Sequence, residues 1–271
     1  MWKEISTRFL EASTLTTLMP HLVAGFTTRE GGVSELPYAT CNLGFHVHDD
    51  AAAVIRNRER LASDLAFPLD CWVGSEQVHE TTIRYVTNKD KGRGAYSLSD
   101  ALPATDGLYT NESGILLTSL YADCTPLYFV APRARLIGLC HAGWRGTVQQ
   151  IGQKLVSLWQ TKHHVPIEDI HVFIGPCISG HKYEVDQAVI DRVTAIVPVG
   201  AVPPYQQVRE GHYTLDLRML HQQLFQAAGL CMTQIYTAPE CTYIDPRFFS
   251  YRREKGQTGR MMSVIGMRSG K

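Results

Sequence analysis

Apolar residues recur three or four positions apart in three stretches of the chain. Residues 147–161 place Val148, Ile151, Leu155 and Leu158 on one helical face, 215–228 do the same with Leu217, Leu220, Leu224 and Ala228, and 50–65 with Val54, Leu61 and Leu65. The acidic pair Asp49–Asp50 suits the start of the third. Between the helices lie short β-branched and aromatic runs bounded by turn residues. They predict strands at 22–27, 82–86, 114–120, 127–131, 136–141, 171–174 and 234–237. Strands often follow one another directly, which predicts an α+β fold over a regular βαβ alternation. Residues 87–107 are polar and Gly-punctuated and read as a mobile loop, and PVGAVPPY at 198–205 is a second break. Neither resembles a linker, and no repeat is present, so one domain over 1–271 is expected.

Composition narrows the classes. The chain has 271 residues, 44% apolar and 19% charged, enough to bury a large core. Lys+Arg and Asp+Glu are both 26, which argues against a broad basic face for nucleic acid or an anionic membrane. No run reaches the roughly 18 apolar residues of a membrane span. The opening MWKEISTRFLEAS has early charge and no apolar signal core, so the cytoplasm is the expected compartment, and the neutral 30.3 kDa chain is expected as a monomer. Seven cysteines at irregular spacing (41, 71, 124, 140, 177, 231, 241) are expected as thiols: buried hydrophobes, metal ligands or nucleophiles.

Standard short signatures are absent. There is no phosphate-cradling Walker loop, no dinucleotide fingerprint, no HExxH, no GxSxG elbow and no HxE…PCxxC deaminase pair. Three other segments place metal-binding side chains beside turn residues: SEQVHE (75–80), YADCTP (121–126) and CHAGWRG (140–146). His141 ends an apolar run just before a glycine turn and a predicted helix, a place that faces pockets. Gly143 and Gly146 permit close backbone approach or positive φ. Arg145 sits where an anion at that helix end would be paired. Two His nitrogens and one thiolate, from His79, Cys124 and His141, suit Zn²⁺ and leave a fourth position open. Taken separately, the same residues read as a buried cysteine, a core histidine and a loop histidine. Their spacings of 45 and 17 positions form no compact ligand motif, which by itself favours the separate reading.

The chain resembles the laccase-domain (multicopper polyphenol oxidase) proteins, also called the YfiH family. The matching blocks are FTTREGGVSELPY (26–38), CNLGFHVHDD (41–50), NRERL (57–61), QVH (77–79), TDGLYT (105–110), ADCTPLYF (122–129), HAGWRGT (141–147), IGPCISGHKYEV (174–185), DL (216–217) and FFSYRREKGQTGRMMSVI (248–265). The resemblance implies one α+β domain with a β-sandwich-like core and helices outside. It implies a catalytic zinc on His79, Cys124 and His141. It also implies purine nucleosides and phosphate as substrates, with phosphorolysis of adenosine, inosine, guanosine and methylthioadenosine and deamination of adenosine. Some members are linked to peptidoglycan quality control, and an older assignment is copper-dependent phenol oxidation. The chain departs from the usual pattern at Glu80 (usually Gly), Thr105 (usually Ala) and Cys177 (usually Ala), and none of these is a proposed ligand.

Phosphorolysis needs an anion site. Arg145, Arg29 in the Gly31–Gly32 loop and Arg58 are the candidate phosphate contacts, and Asn42 a candidate nucleoside contact; Arg145 is favoured as functional, and each of the others reads equally as a salt bridge or cap. Asp123, next to Cys124, reads as support for a His ligand or as a buried acceptor. Glu76, Asp106, Glu184, His46 and His48 are candidate proton carriers. A laccase needs many paired histidines, and the chain has 11 in all with one HxH, His46–His48. A His₂Cys site can take copper in vitro. Two further readings stay open: a metal-free Cys124–His141 hydrolase, and a binding protein with a closed structural zinc.

Overall fold

The computed structural model, which describes residues 2–269, sorts the strands into three sheets. The first runs β1 (Trp2–Ser6), β2 (Phe9–Ala12), β3 (Leu22–Thr27), β15 (Met261–Met267), β7 (Leu116–Tyr121), β4 (Trp72–Val73). The second runs β14 (Ile235–Thr237), β10 (His171–Ile174), β8 (Thr125–Ala131), β9 (Leu136–Ala142), β6 (Gly107–Thr110), β5 (Ile83–Tyr85). A small third sheet holds β11 (Glu184–Asp186), β13 (His212–Leu215) and β12 (Tyr205–Arg209). The helices are α1 (Ser13–Leu18), α2 (Ala51–Leu65), α3 (Trp144–Val148), α4 (Ile151–His163), α5 (Gln187–Thr194) and α6 (Leu217–Ala227).

Successive residues of β8 and β9 serve two cores. Tyr128, Val130, Ile137 and Leu139 pack against Ala24, Leu117 and Ile265 of the first sheet. Leu127, Phe129, Leu136 and Cys140 pack beneath Leu155 and Trp159 of α4 and Phe225 of α6. Both faces are covered, which is why these strands read as continuous apolar runs. α2 covers the outer face of the first sheet through Leu61 and Leu65, against Trp72 and Val264. The result is the expected sandwich-like core flanked by helices. Trp72 and Trp159 are fully buried, each contributing on the order of 5 kcal/mol before entropy is counted.

Departures from the expected elements have local causes. The helix predicted over 147–161 is split into α3 and α4, with Gln150 between them at φ 60°. Val148 faces the core of α5 and α6, whereas Ile151 and Leu155 face the second sheet. One apolar stripe therefore serves two cores, and the chain must bend. The segment 87–107 is a packed element, not a mobile loop: Arg58 Nη1 donates to the carbonyls of Gly94 (2.6 Å) and Ala95 (2.9 Å), and Ala95, Ala101 and Leu102 are buried. Strands β1, β2, β4, β6, β11–β13 and β15 and helices α1 and α5 were not expected. β15 hides behind Ser263 and Gly266, and a Cβ at Gly266 would lie 2.6 Å from the Ile115 carbonyl. Among the described residues, no helix is long and apolar enough to cross a membrane.

Candidate metal centre

The β8–β9 hairpin delivers two of the candidate ligands. Its register pairs Thr125 with Ala142 and Pro126 with His141, so Cys124, just before β8, comes alongside Gly143. The third ligand comes from the loop after β4. Gln77 ties that loop to β7: its Nε2 donates to the Leu120 carbonyl (2.9 Å) and its Oε1 accepts the Leu120 amide (2.8 Å). His79 follows in the left-handed region, at φ 63°.

Asp106 joins the two halves. Its carboxylate accepts the amides of Val78 (3.1 Å), His79 (3.0 Å) and Glu80 (3.0 Å) and the Nδ1–H of His141 (2.8 Å). Burial would raise this carboxyl, but the hydrogen bond and charge of His141 and the backbone amides carry it below its usual range. The bond also leaves Nε2 of His141 free.

The donor atoms of His79, Cys124 and His141 lie within 4.8 Å of one another, the single such cluster of His, Cys and acidic residues among the described residues. Cys124 Sγ is 4.0 Å from His79 Nε2, and the two imidazoles meet edge to face at 4.7 Å. Burial opposes ionisation of the thiol, yet the two histidines lower it toward the thiolate. His141 moves the other way: burial would lower it, while Cys124 and Asp106 raise it. Gly143 supplies space, not positive φ. A Cβ there would lie 3.0 Å from Cys124 Sγ and 3.2 Å from His79 Cδ2.

The triad lines a cleft of about 610 Å³, the size of a small-molecule site. Leu120, Ile178, Tyr183 and Tyr251 give it apolar walls, and Arg145, Arg252 and Arg260 give it cations. Among the sequence candidates, Arg145, His46, Glu76 and Asp123 line the cleft. The Arg145 guanidinium has no hydrogen-bond or ion-pair partner among the described residues and rests 4.5 Å from the Trp144 ring.

Three candidates are engaged elsewhere. Arg29 pairs with Glu254 Oε1 (2.5 Å), donates to the Ala39 carbonyl and stacks on Phe249. Buried Arg58 is saturated by the carbonyls of Leu43, Gly94 and Ala95. Asn42 is buried and holds Gly44, Asp49 and the amide of Arg260. None of the three is among the residues lining the cleft, and each side chain is held by partners in the fold.

Asp123 is a buried acceptor, and the carboxylate behind His141 is Asp106. Asp123 adopts φ 92° and accepts the hydroxyls of Thr242 (2.7 Å) and Ser250 (2.9 Å) and the amide of Arg252 (2.7 Å). Glu184 pairs with Arg209 and His212, Cys177 is buried against Arg218, and neither it nor His48 lines the cleft. Glu80 is exposed and contributes its amide to Asp106. The sequence reading missed Tyr183, Tyr251, Arg252 and Arg260 as cleft residues. Tyr183 lies in the block 174–185 and the other three in 248–265, but no spacing relates them to the triad.

Comparison with known proteins gives one consistent result. The profile of a family described as multi-copper polyphenol oxidoreductase laccase matches residues 23–268. Purine nucleoside phosphorylase YlmD of Geobacillus stearothermophilus is 47% identical over 247 residues, covering 91% of this chain and 90% of that one. The Bacillus subtilis protein of the same name is 45% identical, covering 91% and 89%. The crystal structure of YlmD from G. stearothermophilus superposes with a TM-score of 0.96 at 44% identity, covering 99% of each chain. That of a Bacillus licheniformis hypothetical protein YfiH gives 0.95 at 38% identity, covering 98% and 99%. With a matched profile over most of its length and relatives this close, the chain belongs to the multi-copper polyphenol oxidoreductase laccase family.

Proposed function

We propose that this protein is a zinc-dependent purine nucleoside phosphorylase whose metal is held by His79, Cys124 and His141. The observation that carries the reading is the convergence of two imidazoles and a thiol within 4.8 Å, in a cleft that also presents unpaired arginines. The relatives named purine nucleoside phosphorylase, at 45–47% identity, support the substrate class. The donor set fits Zn²⁺: it is nitrogen and sulfur, and one imidazole is braced by a carboxylate. When bound, such an ion supplies Lewis-acid polarisation.

The reaction breaks the bond from ribose C1′ to purine N9 and forms one from a phosphate oxygen to C1′. The bonding pair leaves on N9, which takes up a proton, giving ribose 1-phosphate and the free base. In this reading Asp106 fixes the His141 tautomer and keeps Nε2 available. Tyr183, Tyr251, Leu120 and Ile178 enclose the nucleoside, and Arg145 offers free guanidinium donors to phosphate. Glu76 and His46 face the cleft as proton carriers. Crowding by protein and the charges of Arg260 and Arg58 push His46 down to about 4, so it is neutral near pH 7. Adenosine, inosine, guanosine and methylthioadenosine are the proposed substrates, and deamination of adenosine is a water-dependent reaction of the same cleft.

Two rival readings have less support. Phenol oxidation by several coppers needs several ligand clusters, and the described residues form one. A Cys124–His141 dyad would leave unexplained why a third donor, His79, converges on the same point. The test is metal analysis and turnover of wild type and Cys124→Ala. About one zinc per chain, lost in the variant together with phosphate-dependent release of adenine from adenosine, supports the proposal; inosine formed without phosphate identifies deamination. A wild type with neither metal nor turnover sinks it.

A further inference from the structure

Arginines that brace this fold spend most of their nitrogens on protein acceptors. Arg58 spends all three nitrogens on carbonyls, and Arg253 spends both terminal nitrogens on Thr242, Tyr243, Asp245, Phe248 and Glu254. Arg260 is different. Its Nη1 holds the carbonyls of Thr258 (2.8 Å) and Gly259 (3.1 Å), while Nε and Nη2 have no hydrogen-bond partner among the described residues. No carboxylate there comes within ion-pair distance, and the group is only half-exposed at the cleft. Arg252 shares the unused donors though it is exposed: Nη1 holds the Glu184 carbonyl (2.8 Å) and its other nitrogens are unpartnered among the described residues. A partly desolvated guanidinium with unused donors calls for an anion.

Both residues are anchored at the backbone by buried groups. The Arg252 amide is held by Asp123 Oδ2 at 2.7 Å and the Arg260 amide by Asn42 Oδ1 at 2.9 Å. Tyr183 lies 5.3 Å from the Arg252 guanidinium and Tyr251 lies 5.8 Å from that of Arg260. Asp123 adds no free acceptor, since its oxygens are taken by Thr242, Ser250 and Arg252. We infer that Arg260 and Arg252 form a fixed subsite for a tetrahedral oxyanion beside the metal ligands, and that it takes inorganic phosphate as co-substrate. This rests on the proposed phosphorolysis. It assigns Asn42 and Asp123 as positioning residues that act through the two arginines.

The test uses purified metal-loaded protein, with Arg260→Gln, Arg260→Lys and the more exposed Arg252→Gln. Arg260→Gln is expected to raise KM for phosphate by roughly 10- to 100-fold, with nucleoside KM within about twofold, and Arg260→Lys to recover part of the loss. A second readout needs no turnover: inorganic phosphate should raise the wild-type melting temperature and leave Arg260→Gln and Arg252→Gln unmoved. Folded variants with wild-type phosphate KM and wild-type thermal response overturn the subsite while leaving phosphorolysis intact. A phosphate response lost in the variants, in a wild type that cleaves no nucleoside, keeps the oxyanion site and overturns the function. Stabilisation by a nucleoside monophosphate but not by inorganic phosphate overturns the co-substrate assignment.

Discussion

Asp106 binds His141 through its side chain and His79 through its backbone: Oδ1 accepts the His141 Nδ1–H at 2.8 Å and the His79 amide at 3.0 Å. One carboxylate thus sets the relative position of two ligands that are 62 residues apart, at 79 and 141. Replacing it should loosen both. Asp106→Asn is expected to weaken metal binding by about 10- to 100-fold. Competition with a chromogenic chelator measures this directly, and an unchanged affinity would refute the role.

Gly143→Ala tests the close approach. The added methyl would sit 3.0 Å from Cys124 Sγ, inside normal contact. The backbone there, at φ −69°, suits any residue, so the fold should survive. The expectation is native-like circular dichroism with at least a tenfold loss of bound metal. Full metal content in the variant would show that the ligands have room to spare.

His221 gives a pH dependence separable from the cleft. It is fully buried, bonds Thr147 Oγ1 through Nε2 at 3.1 Å, and has no partner at Nδ1 among the described residues. Burial pushes it down to about 3, so the folded protein keeps it neutral while the unfolded chain protonates it near 6.5. Its contribution is therefore present above about 6.5 and is lost as pH falls from there toward about 3, by ~1.4 kcal/mol for each pH unit in that window. Urea unfolding at pH 7, 6, 5 and 4 should give a shallower acid slope for His221→Gln than for wild type. Parallel slopes would count against it.

Arg58→Met separates a brace from a ligand. Arg58 holds the carbonyls of Leu43, Gly94 and Ala95, so its loss should cost on the order of 3 kcal/mol of stability. The folded enzyme is expected to keep its phosphate and nucleoside KM. A raised phosphate KM with unchanged stability would reverse the assignment.

The sheet strands and the triad were legible in the sequence for different reasons. β3 and β10 matched their expected bounds because turn residues delimit them and both faces are covered. The triad was visible as residue types at strand ends, but its convergence was not. The hairpin register brings Cys124 near His141, and the amide nest on Asp106 brings His79, and neither device leaves a periodic signal. Asn42 and Arg58 looked functional because phosphorolysis calls for a cation at the phosphate and a hydrogen-bonding side chain at the nucleoside. Their side chains in fact satisfy backbone groups of irregular segments, a demand that only the folded chain reveals. Arg252 and Arg260 went unseen because their partners, Asp123 and Asn42, lie 129 and 218 residues away.

The position of β15 bears on how the molecule is made. It is the last strand synthesised among those described, yet it lies inside the first sheet, between β3 and β7. Until residues 261–267 arrive, β3 and β7 have no partner to join them, and the preceding segment that carries Arg252 and Arg260 has no anchor. The ligand hairpin β8–β9 needs only local pairing and is complete much earlier. A growing chain therefore displays its thiol and imidazoles before Tyr251, Arg252 and Arg260 are seated beside them, so the cleft closes on its cationic side last.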